Sequence, residues 1–433
     1  MSEMVGIDVV VVYLISMISI AMVLYFSFSK KTRPFNVIDS LVYELFILTN
    51  FFSVIVVLTY QGYVSAPYVL MYAATFISFF GGIYAGSRIN IHVKPIFVER
   101  SIFTPKYFFP MLAFGLIAAV SSLITNAETW AMEGDAHLNR LETAHSNAAF
   151  FFFSWATANA VPVYLMLSVF ICQSKGLRLL SYSVLILTVL AGLTGASRSG
   201  VLGQVYQLSL VLFILSQQKA ITLNLKKFKW LILFFFILFI GGVVFITSIQ
   251  EDDRSGWYTI LERLVFSADA VLYFHVFLKE GFVYHLDSAW YYLLHPLLKL
   301  MGLSVIEGGV GPSMSAAFSG EMTGRGPVGT FIYDGMFVFG YAGMMVYAFF
   351  VGFFVSGTRN LLVNLVRRKL LLTDFFAFFT SIFLFFLGGV LINDLLTFVT
   401  LLIVIFPILL FLLAIILVYK SLSASRGYAA RRT

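Results

Sequence analysis

The sequence predicts an all-α, polytopic integral membrane protein, and three observations carry that prediction. Residues are 60% hydrophobic and only 11% charged, a balance that no water-exposed surface supports. Apolar runs of roughly 20 residues, the length needed to cross a bilayer core, recur along nearly the whole chain. The runs do not alternate apolar with polar residues, so they are helices, which satisfy their own backbone groups in lipid, and not barrel strands.

Taken in order, the pattern reads as about eleven transmembrane helices, at roughly 9–28, 37–60, 66–87, 107–124, 149–172, 179–196, 200–217, 230–249, 327–355, 374–393 and 396–419. They form one membrane domain, residues 1–433, with one long extracytoplasmic loop at 250–327. The first run has Glu3 and Asp8 before it and Lys30 and Lys31 after it, and it is too long for a signal-peptide core, so it reads as a retained anchor. With the N-terminus periplasmic and the C-terminus cytoplasmic, 21 of the 28 Lys and Arg fall on the inner side. Arg140, Arg198, Arg254, Arg263, Lys279, Lys299 and Arg325 remain outside, as the positive-inside rule requires. The net charge of +7 therefore reports orientation and contact with anionic membrane lipid, and no nucleic-acid partner is expected.

The inner loops are short, the longest running over about 87–106, so no cytosolic nucleotide-binding or nucleotide-sugar-binding fold is expected. Cys172 is the single cysteine, which excludes an internal disulfide and a cysteine metal cluster. Outside, residues 125–148 carry Glu128, Trp130, Glu133, Asp135, His137, Arg140, Glu142 and His145, a length suited to a short interfacial helix.

Most of the possible chemistry lies in 250–327. Residues 257–278 have helical length and spacing, 287–301 are aromatic-rich and interfacial, and 307–327, packed with Gly, Ser and Thr, read as a mobile or tightly turned loop. Before this loop, Leu193-Thr-Gly-Ala-Ser-Arg-Ser-Gly200 interrupts an apolar region. Ser197, Ser199 and the glycines offer backbone donors there, while the Arg198 fork matches a phosphate oxygen pair. The same stretch also reads as a turn with a snorkelling arginine.

Arg263 is either a second phosphate clamp or a salt-bridge partner of Glu262 or Asp269. Arg254 beside Glu251, Asp252 and Asp253 is a surface charge cluster, since adjacent carboxylates do not converge on one ion. His275, His285 and His295 recur at an interval of ten, which matches no zinc spacing, and each can be a base or an interfacial side chain. Asp334 falls in the first turns of an apolar span, where a carboxylate is costly unless paired or wet, and is a candidate base. Asp394 reads as a loop residue.

This pattern resembles the Wzy-type O-antigen or oligosaccharide repeat-unit polymerases of bacteria. The resemblance rests on the span number, the Gly-Ala-Ser-Arg-Ser-Gly break at 195–200, the outer loop near 250–327 and the Tyr333-Asp-Gly…Phe339-Gly-Tyr-Ala-Gly343 segment. It implies a GT-C-like glycosyltransferase joining repeat units carried on undecaprenyl pyrophosphate, donor and acceptor alike, at the periplasmic face of the inner membrane. It implies no metal and no other cofactor, and a chain-length regulator protein as a possible partner. Carried onto this chain, the pyrophosphate-binding arginines are Arg198 and Arg263, with Arg325 a weaker third. The base is left among Asp334, His275 and Glu321. Trp257, Tyr258, Tyr284, Trp290, Tyr291 and Tyr292 either stack on sugars or form an interfacial belt. An O-antigen ligase shares this plan and differs in acceptor. A lipid-linked-oligosaccharide flippase fits less well, because the span count is odd, no internal repeat is visible, and the charge lies outside the membrane core.

Overall fold

The computed structural model describes residues 7–28, 40–89, 101–131, 148–172, 174–194, 198–217, 269–286, 288–301, 303, 309–320, 327 and 330–403. Among them there is no strand. The helices are α1 (Ile7–Phe28), α2 (Ser40–Tyr60), α3 (Ala66–Ser87), α4 (Pro105–Ala131), α5 (Ala148–Ile171), α6 (Lys175–Thr194) and α7 (Arg198–Gln217). They are followed by α8 (Asp269–Leu272), a π-helical turn (Tyr273–Phe277), α9 (Ala289–Leu300), α10 (Val310–Ser319), α11 (Thr330–Arg367) and α12 (Phe375–Asn393). A last described helix, α13, covers 395–403.

Helices occupy the positions of the predicted spans wherever those positions are described, and the span expected at 230–249 lies outside the described residues. Among the described residues, five helices are long and apolar enough to cross a membrane: Ala66–Ser87, Pro105–Glu128, Lys175–Gly192, Thr330–Arg367 and Phe375–Asn393. Elsewhere the described apolar stretches are shorter, as at Asp8–Leu24, Leu48–Tyr60, Ala160–Ile171 and Tyr206–Gln217.

The closest packing joins α3 to α11. Gly82 and Gly86 on α3 face Gly352 and Ser356 on α11, so each helix places small residues four apart against its partner. A methyl built on Gly82 or Gly352 would fall inside the van der Waals envelope of the carbonyl oxygen of Phe349 or Phe79, respectively, so the two backbones are in contact. Small-residue spacing of this kind drives helix association in lipid, where no hydrophobic effect separates helix from solvent. Ser78 Oγ donates to Met345 O at 2.6 Å, and Asn360 Nδ2 donates to Ser87 O and Ile89 O at the far end. The contacts advance along both chains together, so α3 and α11 run parallel.

Residues 330–367 do not make one straight span. At Gly340 the backbone leaves the helical region (φ 72°, ψ 176°), a left-handed φ that only glycine adopts without strain. In a straight helix, residues 335 and 344 would stand about 13 Å apart. Here a methyl on Gly335 would lie 3.1 Å from Met344 Cα and 3.0 Å from the Tyr347 ring. The short arm 330–339 therefore folds back on the long arm 341–367, and Asp334 sits on this arm and not on a continuous span.

Two hydrophobic cores result. One gathers α1, α2, α3, residues 270–314, and the early part of α11, including Phe79, Phe274, Phe331 and Met344. The other joins α4, α5 and α7 to the end of α11, with Tyr164, Phe213, Leu362 and Phe378 inside. Both draw on α11 and α12, the common axis. The stretch expected as a loop over 307–327 also departs from expectation where it is described. Residues 310–319 are helical, with Pro312 in the first turn and Gly320 (φ 80°) as a left-handed cap, where composition had suggested a loop.

Gly352→Leu, which forces apart two backbones in contact, is expected to destabilise the purified protein by roughly 1–3 kcal/mol or more. Gly203→Ala, with nothing within 4 Å of the added methyl, should leave thermal stability in detergent unchanged or slightly raised.

Candidate functional site

The π-helical turn Tyr273–Phe277 carries His275 inward, and a left-handed turn then brings Glu280 back beneath it. Lys279 (φ 48°) and Glu280 (φ 59°) both adopt positive φ, which costs a non-glycine residue about 1–2 kcal/mol. Glu280 N–H closes the turn on Phe274 O at 2.7 Å. The strain places Glu280 Oε1 2.9 Å from His275 Nδ1, with the His275 side chain fully buried and Glu280 30% exposed.

On its other side, His275 Nε2 lies 2.7 Å from the Tyr72 hydroxyl of α3, which lies 2.7 Å from the Tyr333 hydroxyl of α11. A carboxylate only accepts, so Nδ1–H donates to Glu280, Nε2 accepts from Tyr72, and Tyr72 accepts from Tyr333. The four groups form a one-directional chain that begins at a wholly buried tyrosine and ends at a partly exposed carboxylate. Phe274, Tyr68 and Phe337 surround it, with the Tyr68 and His275 ring centroids 5.0 Å apart. Burial holds the His275 imidazole below its ordinary 6.5, against an opposing pull from Glu280. The ring is therefore neutral at physiological pH and passes hydrogen-bond polarisation toward Glu280.

One residue further along α11 a second polar group begins. Asp334 is buried and its Oδ2 accepts from Leu395 N–H at 2.7 Å, across the turn between α12 and α13. Asp394, in that turn, caps α13 by accepting from Thr397 N (3.1 Å) and Thr397 Oγ1 (2.6 Å). Tyr292 of α9 and Tyr347 of α11 carry buried hydroxyls that have no hydrogen-bond partner among the described residues, and the Tyr347 ring packs on Gly335, next to Asp334. Burial and the nearby Asp334 push the Tyr284 hydroxyl up to about 12, and the same two causes, with Asp394, hold Tyr292 well above 10.

The sequence candidates thus separate. His275 and Asp334 are both buried at the same end of the bundle, in neighbouring networks joined by the Tyr333–Asp334 pair. Arg198 and Ser199 stand in the first turn of α7, after α6 ends at Thr194. Ser197, Arg263, Glu321 and Arg325 lie outside the described residues. Among the described residues no three His, Cys, Asp or Glu converge as for a metal. Tyr72 and Glu280 were not singled out by sequence, and Tyr333 entered only as the first residue of the Tyr333-Asp-Gly segment, although Glu280 sits at i+5 from a histidine just before Gly281. No linear signal marks Tyr72, which is brought in by the α3–α11 contact.

Because folding lowers the affinity of His275 for its proton, its share of stability is complete above about pH 6.5 and is lost as pH falls below that value. Wild type should therefore lose more thermal stability than His275→Gln when acidified from about pH 7.5 to about 5.5. At neutral pH, Tyr72→Phe leaves two buried groups short of a partner and should cost about 1–3 kcal/mol, read from the same melting curves.

Compared with protein-family models, with curated proteins and with solved structures, this chain matches none, so the assignment of function rests on the geometry of this site and on the sequence resemblance.

Proposed function

We propose that this protein is a membrane glycosyltransferase that polymerises oligosaccharide repeat units carried on undecaprenyl pyrophosphate, at the outer face of a bacterial inner membrane. The observation that carries the reading is the Tyr333–Tyr72–His275–Glu280 chain, a buried run of donors ending on a carboxylate that reaches the surface. A base of this kind suits a sugar hydroxyl, which must lose its proton as it attacks. A lipid-linked donor suits a protein in which at least five helices can lie in the bilayer.

In this mechanism Glu280 takes the proton from the acceptor hydroxyl. The freed oxygen forms a bond to the anomeric carbon of the donor sugar while the bond from that carbon to the pyrophosphate oxygen breaks. His275 touches no substrate. It is a positioning residue that fixes the Glu280 carboxylate by donating to it, and Tyr72 and Tyr333 fix the tautomer of His275. Arg198, at the start of α7, together with Arg263 and Arg325, holds the pyrophosphate and stabilises its charge as it leaves. A GT-C-like arrangement with a periplasmic N-terminus and a chain-length regulator as partner completes the proposal. Asp334 is assigned to the turn between α12 and α13, since its Oδ2 is taken up by Leu395 N–H.

The test is complementation of a deletion strain, with expression of each protein checked and the surface glycan resolved on a gel. Glu280→Gln and Arg198→Ala should each leave single repeat units where wild type restores a ladder, with loss of polymer on the order of a hundredfold or more. His275→Gln should lower turnover with little change in acceptor KM. Bare core with polymer retained on the carrier lipid would mean a ligase, and an unchanged ladder in the deletion strain would exclude both.

A further inference from the structure

The mechanism gives Glu280 a proton to take but names nothing that holds the acceptor sugar against it. The carboxylate is 30% exposed, and its only hydrogen bond among the described residues is the one from His275 to Oε1, at 2.9 Å. A base that must select one of several similar sugar hydroxyls needs neighbours that fix the sugar ring. An aromatic face with a few polar groups around it meets that need.

Two tyrosines beside Glu280 supply both. Tyr68, in the first turn of α3, packs edge-on against His275, with ring centroids 5.0 Å apart at 83°, and against Phe274 at 5.6 Å. The Tyr68 ring is thereby held one side chain away from the Glu280 carboxylate, with His275 between them. Its hydroxyl stands 3.5 Å from the hydroxyl of Tyr341, so two phenols from different helices converge on one point. Tyr341 opens the long arm 341–367 directly after the break at Gly340, and the break sets it there. It is 56% exposed and enters no ring pair among the described residues. A methyl on Gly340 would meet no atom within 4 Å, so open space adjoins it. A tyrosine that serves only an interfacial belt needs no such partner, since headgroups and water satisfy its hydroxyl.

We propose that Tyr68 and Tyr341 form the subsite for the acceptor sugar. The exposed Tyr341 ring stacks on the apolar face of a pyranose, and the two hydroxyls hydrogen-bond hydroxyls of that sugar. One further sugar hydroxyl is then directed at the second oxygen of Glu280. The tyrosines touch no reacting atom and determine which sugar is accepted. This inference rests on Glu280 being the base of a glycosyltransferase.

The probe is the free repeat-unit oligosaccharide, released by mild acid from the carrier lipid of the deletion strain. It lacks the pyrophosphate, so its binding reports sugar contacts alone. Binding to the purified full-length protein in detergent is read as a half-saturating concentration by saturation-transfer NMR. Tyr341→Ala should raise that concentration roughly tenfold, and Tyr68→Phe, which keeps the ring and removes one hydroxyl, several-fold. Glu280→Gln should bind within about twofold of wild type, since it removes the base and leaves both tyrosines. Tyr182→Ala removes a tyrosine of α6 that is 48% exposed and should change nothing. Equal binding by Tyr341→Ala and wild type, equal weakening by Tyr182→Ala, or no binding by wild type would each overturn the subsite. The glycan gel separates this failure from that of the underlying reading. A ladder restored by Glu280→Gln sinks the reading and the subsite together, whereas a ladder lost with Glu280→Gln and binding unchanged in Tyr341→Ala sinks the subsite alone.

Discussion

Everything around His275 depends on how closely α3 and α11 approach. Gly82, Gly86 and Gly352 let the two backbones touch, so residues ahead of the contact on each helix are held in register. Tyr72 lies ten residues before Gly82, and Tyr333 reaches the same level only because α11 folds back at Gly340. Their 2.7 Å hydrogen bond is a consequence of that contact and that fold. A bulkier interface would separate the two tyrosines and leave His275 with a single partner.

Burial then decides the chemistry. Inside a low-dielectric core every polar group must be paired, kept neutral or given a counter-charge. The His275 chain meets that demand by ending on Glu280, the one member with access to solvent, and the backbone accepts two left-handed residues to put Glu280 there. Asp334 meets it by accepting from Leu395 N–H across the turn between α12 and α13. Adjacent residues on one short helix thus serve two different networks, one aimed at the surface and one closed off from it.

Legibility in the sequence followed the range of the interactions. Helix positions could be read because span length and apolarity are local properties, and α3, α4, α6 and α12 fall close to where hydropathy places them. His275 and Asp334 could be singled out because polar residues beside apolar runs are costly wherever the chain goes. The helix at 310–319 was missed because its Gly, Ser and Pro content outweighed the capping signals at its two ends. Tyr72 and Glu280 were missed because nothing near them in sequence announces their partner, 203 residues away in the case of Tyr72 and His275.

By itself the sequence determined that this is a helical membrane protein, and where its apolar helices and its costly charges lie, since these follow from the free energy of each segment in lipid. Only the tertiary structure decided that α11 is broken at Gly340, that α3 supplies a hydroxyl to His275, and that Asp334 pairs with Leu395 N–H and not with His275. Those outcomes depend on backbone contacts between helices far apart in the chain, and no local pattern of residues encodes which of them will meet.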